Sequence, residues 1–389
     1  MKLSTGVSFK GFDLKKSKTN TKLQLVKILK EKNEIIKSLQ KNYKNSYNTN
    51  FISKFKNYSE IGLFGMGGSS LGSRSIYNFL REKVKKKFIF FDNLNSNSQD
   101  TRIKKNDKLN IVISKSGNTL ETIANISFFI KKGQKNIFIT EKKNSYITNL
   151  AKKLKADVIS HNNFIGGRYS VLSEVGMLPA ELMGLDSLKF KQLNNLIKNK
   201  NFFNLITTNV SNMIFLGKKK KTNSIILNYD ESSSDLFFWY QQLMAESLGK
   251  KNKGFLPIIS NMPKDNHSLM QLYLDGIKNS FYTFFFVDDK FSKKINNKDM
   301  FGQYKHLKNK SMIDIKLAQF NATQNVFKKK NIPFRSFFIS KRDEESLGVL
   351  FTFFMLETIL LARIMKINPF DQPAVELIKN ETNKIIRKT

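Results

Sequence analysis

Cysteine is missing from all 389 residues, which excludes disulfides and thiolate metal sites. Only three histidines are present, His161, His267 and His306, so each can be weighed alone as a proton carrier. Acidic residues are scarce. There are 31 Asp and Glu against 67 Lys and Arg, a formal net charge of +36. One source of such charge is a nucleic-acid or anionic-membrane partner. The other is drift towards AT-rich codons, because Lys, Asn, Ile and Phe are abundant together. The lysines are scattered, with short runs at Lys218–Lys221 and Lys328–Lys330. No zinc-finger spacing, basic zipper or RNA-binding aromatic signature accompanies them. Drift and a solvated surface are therefore the favoured reading, with no nucleic acid and no membrane as partner. Long apolar runs are also lacking. The best candidate, Leu347–Met365, is broken by Glu357 and Arg363 and falls short of the roughly 20 residues a bilayer requires. It reads as a buried core helix. The first residues, MKLSTGVSFKGFDLKKSK, contain no apolar stretch of a secretory signal, so a cytoplasmic location is expected.

What is present points to a folded α/β protein. Hydrophobic residues make up 40% of the chain, and its length suits two domains. Before about Ser53, Leu25, Leu29, Ile35, Ile36 and Leu39 recur at roughly helical spacing, so residues 1–55 read as a helical arm. From Ile61 short apolar runs alternate with amphipathic stretches. Strands are expected at Ile61–Phe64, Phe88–Phe91, Asn110–Ile113, Asn136–Thr140 and Asp157–Ser160. After a mostly helical stretch, Leu178–Ile206, the alternation resumes at Ser224–Leu227, Phe255–Ile259, Phe281–Val287 and Phe334–Ile339. This pattern predicts parallel sheets with helical crossovers, in one domain over 56–205 and another over 206–389. A last helix is expected from about Gln372.

Ligands of such sheets bind beyond the carboxyl ends of strands, which directs attention to two loops. GMGGSSLG, from Gly65 to Gly72, follows the first strand and opens a helix. It lacks the third glycine of a dinucleotide fingerprint, with Ser70 in that place. It is either a close-approach anion loop or only a tight turn. SKSGNTLET, from Ser114 to Thr122, gathers Ser114, Ser116 and Thr119 with Lys115 around a glycine at a helix start. One hydroxyl suffices to cap a helix; three favour binding of several phosphate oxygens. The lysine of a Walker loop is missing, which argues against a nucleotide triphosphatase.

Three further blocks carry ionisable groups. FIGGRYSVLSEVGMLP holds Arg168 after two glycines, where a guanidinium can stabilise charge growing on an oxygen, or serve a structural ion pair. WYQQLMAESLGK places Glu246 near the end of an amphipathic helix, and DNHSLMQLYLDG holds His267. A carboxylate and an imidazole beside a sugar could supply the base and acid of aldose–ketose interconversion. NPFDQPAVELIKNE sets Gln372 and Lys379 two helical turns apart on one face.

Together, in this order and from about residue 60 to 380, these blocks resemble the glucose-6-phosphate isomerase (phosphoglucose isomerase) family. The resemblance implies two sugar-isomerase (SIS-type) three-layer α/β/α domains with mainly parallel sheets. It implies reversible isomerisation of glucose 6-phosphate to fructose 6-phosphate through ring opening and an enediolate, without metal or cofactor. It also implies a homodimer in which the histidine comes from the neighbouring subunit. By the same resemblance, Ser114, Lys115, Ser116 and Thr119 hold the phosphate, and Gly68, Ser69, Gln242 and Gln372 touch the sugar. Arg168 lies by the C1 and C2 oxygens, Glu246 moves the proton, and His267 and Lys379 stand where the ring opens. Ser70 stands where the family usually has Asp, and Ser73 where proline often follows. A weak carboxylate base gains from burial, so Glu246 is expected to be largely buried. A phosphosugar-binding module, or an isomerase of an amino or mannose sugar phosphate, would share the fold. The first need not keep Glu246, His267 and Lys379.

Overall fold

The computed structural model describes residues 1–14, 20–94, 108–290, 292–296 and 302–388. Among the described residues there are ten strands: β1 (Val7–Lys10), β2 (Glu60–Phe64), β3 (Lys87–Phe91), β4 (Lys108–Ile113), β5 (Lys135–Thr140), β6 (Asp157–Ser160), β7 (Asn223–Asn228), β8 (Leu256–Asn261), β9 (Ser280–Val287) and β10 (Phe334–Ile339). They form two five-stranded sheets, ordered β3-β2-β4-β5-β6 and β1-β10-β9-β7-β8. All pairings are parallel except β1 with β10. Central strands are buried because helices cover both faces; every residue of β4 and of β9 is buried, most of them apolar.

One strand was not expected. Val7–Lys10 lies in the segment read as a helical arm, yet it adds to the far sheet with Val7 opposite Ile339. Its burial alternates, and Phe9 packs 4.7 Å from Phe337 and 5.1 Å from Phe353 between ring centroids. The helices Thr21–Lys30, Glu34–Ser38 and Thr49–Ser53 follow as expected. Arg363 pairs with Glu31 at 2.7 Å, and Tyr47 donates to Glu181 at 3.0 Å, fastening this segment across the body.

The largest apolar core is continuous between the sheets. It joins Ile61, Leu63 and Ile111 of the first to Phe285 and Phe337 of the second, through the helices Glu174–Leu182, Ser234–Leu248 and Glu344–Met365. Smaller cores cover the outer faces, one under Phe320 and Phe327, the other under Ile126 and Ile147. Each sheet is therefore the middle of three layers. The apolar helix Glu344–Met365 lies inside this core, with 89% of its most apolar window buried. Glu357, which interrupts the apolar run, is fully buried and paired with fully buried Arg335 of β10. Tyr240 donates to Glu357 Oε1 at 2.7 Å, and Arg335 donates to Thr283 at 2.9 Å. A buried charge is tolerable when paired and hydrogen-bonded in this way.

Candidate active site

In the first sheet the chain runs from β2 outward to β3 and then crosses to β4 on the other side, so the strand order reverses between β2 and β4. The crevice at such a reversal is where doubly wound sheets bind ligands. Both glycine- and hydroxyl-rich loops open there, one after each strand.

The loop after β2 is shaped by close packing. Gly67 has φ +53°, and a Cβ on it would lie 2.8 Å from Gln242 Nε2. A Cβ on Gly68 would lie 2.2 Å from the Gly167 carbonyl carbon. Side chains at these points would separate the loop from both the Glu246 helix and the Arg168 turn. Ser69 is half-buried. The two departures from the family pattern face inward: Ser70 donates to Gly67 O at 3.3 Å, and Ser73 to Val175 O at 3.3 Å.

In the loop after β4, Thr119 occupies the N-cap of the helix Leu120–Phe129 without its side chain capping it. Its hydroxyl instead meets Ser114 Oγ at 3.0 Å, and Ser114 Oγ accepts from Gly117 N–H at 3.2 Å. The capping alternative therefore fails here, and the helix's first-turn N–H groups keep their attraction for an anion. Ser114 is buried, Thr119 half-buried and Ser116 exposed. Lys115 turns aside, donating to Asn163 O at 2.7 Å and standing 3.6 Å from Glu141. Burial lowers its ammonium from the ordinary lysine value.

The second half of the chain supplies the carboxylate. The helix Ser234–Leu248 follows β7 but is pinned to the helix Leu71–Phe79 of the first half. Asp235 pairs with Arg74 at 3.0 Å and accepts a hydrogen bond from Asn78. Glu246 is thereby carried to Arg168. Arg168, 4% exposed, uses all five guanidinium donors. They go to Ser247 Oγ (2.9 Å), Glu246 Oε2 (3.0 Å), Gln372 Oε1 (2.8 Å), Pro369 O (2.7 Å) and Asp371 O (3.0 Å). Gln242 donates to Glu246 Oε1 at 3.0 Å. Among the described residues nothing donates to the buried Gln242 Oε1. Burial pushes the Tyr169 phenol up to about 12, so it keeps its proton beside Ser247, 2.8 Å away.

Gly68, Arg168, Gln242, Glu246 and Gln372 thus converge. Glu246 is less buried than expected, its side chain 26% exposed, because its helix presents that face towards the crevice rather than the core. His267 and Lys379 do not join them. His267 is exposed at the end of the 3₁₀ turn Lys264–His267, its ring making no hydrogen bond to any described residue. Among the described residues Lys379 pairs only with Glu376, at 2.6 Å, on the helix Pro373–Ile386, every residue of which is at least partly exposed. His161 is a core histidine, satisfied by Glu174 at 2.6 Å and Ile165 O at 2.9 Å. Sequence reasoning missed Asp235, Ser247 and Lys250. Only Lys250 carried a signal, as the basic residue closing the Glu246 block.

Fold and site together define an α/β protein of two doubly wound sheets, with a carboxylate–guanidinium pair between them and two glycine- and hydroxyl-rich loops at the crevice of the first sheet. The phosphoglucose isomerase family model matches residues 23–256, and the chain belongs to that family. The matched span contains both loops, Arg168, Gln242 and Glu246, and ends before His267, Gln372 and Lys379. Glucose-6-phosphate isomerase of Methanocaldococcus jannaschii is 30% identical, with 87% of each chain covered. That of Mycoplasmopsis pulmonis is 32% identical, with 92% of this chain and 88% of the relative covered. Among solved structures, a hypothetical protein of Thermus thermophilus superposes with TM-score 0.82 at 21% identity, covering 94% of both chains. A glucose-6-phosphate isomerase of Chlamydia trachomatis superposes with TM-score 0.69 at 19% identity, covering 97% of this chain and 80% of that one.

Proposed function

We propose that this protein interconverts glucose 6-phosphate and fructose 6-phosphate in the cytoplasm. The observation that carries the reading is the held but open carboxylate. Arg168 and Gln242 fix both oxygens of Glu246, one each, while the side chain stays 26% exposed towards the loops. A base must be oriented and reachable at once, and this one is both.

The sugar's phosphate sits at the Ser114–Thr119 loop and the start of the following helix, with Ser116 and Thr119 facing it and Lys115 behind. That grip fixes the reacting carbons in register. Gly68 and Ser69 let the sugar approach the backbone, and the free Gln242 Oε1 accepts a substrate hydroxyl. After ring opening, Glu246 takes the proton from the carbon next to the carbonyl. The pair of electrons moves onto the C1 oxygen as an enediolate, a proton passes from the C2 hydroxyl to the C1 oxygen, and the same carboxylate returns its proton to C1 as the C2–O bond becomes the carbonyl. Arg168 stabilises the oxygen's charge through its Nη1, where a substrate oxygen exchanges with Gln372 Oε1.

Ring opening needs an acid and a base at the hemiacetal, and the exposed His267 and Lys379 are the candidates. His267 is exposed and makes no side-chain bond to the carboxylate cluster, which supports a homodimer in which the neighbouring subunit brings His267 to the site. A coupled assay of the purified protein with fructose 6-phosphate tests the reading. Activity is expected with or without EDTA, and Glu246→Gln removes it while phosphosugar binding persists. A Glu246→Gln variant turning over near the parent rate refutes the assignment.

A further inference from the structure

We propose that Lys250 is a positioning residue, one that holds the Gln372–Lys379 segment in place relative to Glu246. The inference rests on the functional reading above and deepens it.

Lys250 follows directly on the helix Ser234–Leu248, after Gly249 at the C-cap. Its side chain is 13% exposed. All three ammonium hydrogens have acceptors in one turn: Asn368 O at 2.5 Å, Asp371 O at 2.7 Å and Asp371 Oδ1 at 2.8 Å. That hydrogen bond holds the Asp371 carboxyl below the usual range. The same loop ties down the preceding segment, because Lys253 donates to Met365 O at 3.0 Å. Loop 249–254 is itself set by left-handed backbone at Lys251 and Asn252, φ +54° and +56°.

The clamped turn is the hinge of everything beyond it. The helix Pro373–Ile386 is exposed along its whole length, so its own packing does not fix its direction. Arg168 also grips the turn, but Arg168 touches Glu246 and cannot be altered without disturbing the base. Among the described residues Lys250 makes no hydrogen bond or ion pair to Glu246, and it reaches the turn from just beyond the C-terminal end of the base-bearing helix. It converts the position of that helix into the position of Gln372 and Lys379. Misplacement of about 1 Å can cost as much as a hundredfold in rate.

The test is Lys250→Met, alone and combined with Lys379→Ala. The single variant is expected to lose at least about tenfold in kcat while its melting temperature stays close to the parent's. If Lys250 acts through the C-terminal helix, the double variant is no slower than Lys379→Ala alone, within about twofold. Asp371→Asn is expected to keep activity within about threefold, because two backbone carbonyls still receive the ammonium. Parental kcat in Lys250→Met, or losses that multiply with Lys379→Ala, overturns the proposal. An inactive parent chain instead refutes the functional reading. The clamp is then judged by amide exchange: faster exchange over residues 372–386 in Lys250→Met, with helix 234–248 unchanged, upholds it, and unchanged exchange over 372–386 overturns it.

Discussion

Replacing Arg168 by lysine keeps the charge and removes the fork. The guanidinium serves five acceptors, whereas an ammonium offers three hydrogens from one point. Two of the five have a second donor: Pro369 O from Tyr169 at 3.4 Å, and Asp371 O from Lys250 at 2.7 Å. The remaining three, Ser247 Oγ, Glu246 Oε2 and Gln372 Oε1, point in different directions. One ammonium position can satisfy Glu246 and at most one other. That leaves one acceptor unserved, and a hydrogen bond to a charged group contributes about 1.5–3 kcal/mol, so the expected loss of stability is about 1.5–3 kcal/mol. Catalysis should fall further than charge alone would suggest, since losing one well-placed oxyanion donor costs about 10²–10³-fold. Urea unfolding gives the first quantity through a shift in midpoint at unchanged slope. The coupled fructose 6-phosphate assay gives the second as kcat/KM. Arg168→Lys within about 1 kcal/mol and threefold of the parent would refute the argument, because fixed geometry would then not matter.

Lys191 is 1% exposed, donates to Ser38 O at 2.7 Å and also to Leu172 O, and burial pushes it down to about 7 from the ordinary 10.5. Between those two pH values the unfolded chain holds a proton that the folded chain does not, so stability rises with pH by up to about 5 kcal/mol at 1.36 kcal/mol per unit. Relative to the parent, Lys191→Met should lack this rise in urea melts from pH 7 to 10; identical slopes would show that the amine is not desolvated. In the proposed homodimer, mixing unfolded Glu246→Gln and His267→Ala chains and refolding them together should restore about a quarter of parental activity, since half the pairs are then mixed and each has one complete site. No recovery would place His267 and Glu246 of one chain in the same site.

Local signals made much of this fold legible. Asp157–Ser160 and Phe334–Ile339 agree with β6 and β10 residue for residue, each a short segment carrying adjacent apolar residues, Val158 and Ile159 in one and Phe337–Ile339 in the other. The two loops stood out because glycines and hydroxyls cluster at strand ends. Val7–Lys10 escaped because four alternating residues flanked by lysines and glycines carry little weight until Phe337 and Phe353 are known to lie beneath Phe9. The pinning of Asp235 by Arg74 and Asn78 was equally hidden. Nothing in one sequence says that residues some 160 positions apart will meet. The same holds for the burial of Glu246, which depends on which helix face the crevice takes.

The fold repeats a crevice that only one half leaves open. In the second sheet the strand order reverses between β7 and β9, so a ligand would be sought beyond Asn228 and Val287. Arg342 fills that position. Its five donors go to both oxygens of Asp230, both oxygens of Asp289 and the Phe79 carbonyl, the last in the first half of the molecule. Asp230 immediately precedes the turn into the Glu246 helix, so this ion cluster anchors the start of the helix whose end meets Arg168. One crevice keeps its helix-start amides for an anion; the other spends its charges inside the protein to orient a base-bearing helix. Under the function proposed above, this division explains how two similar sheets build one site, the first gripping the phosphate and the second delivering the carboxylate.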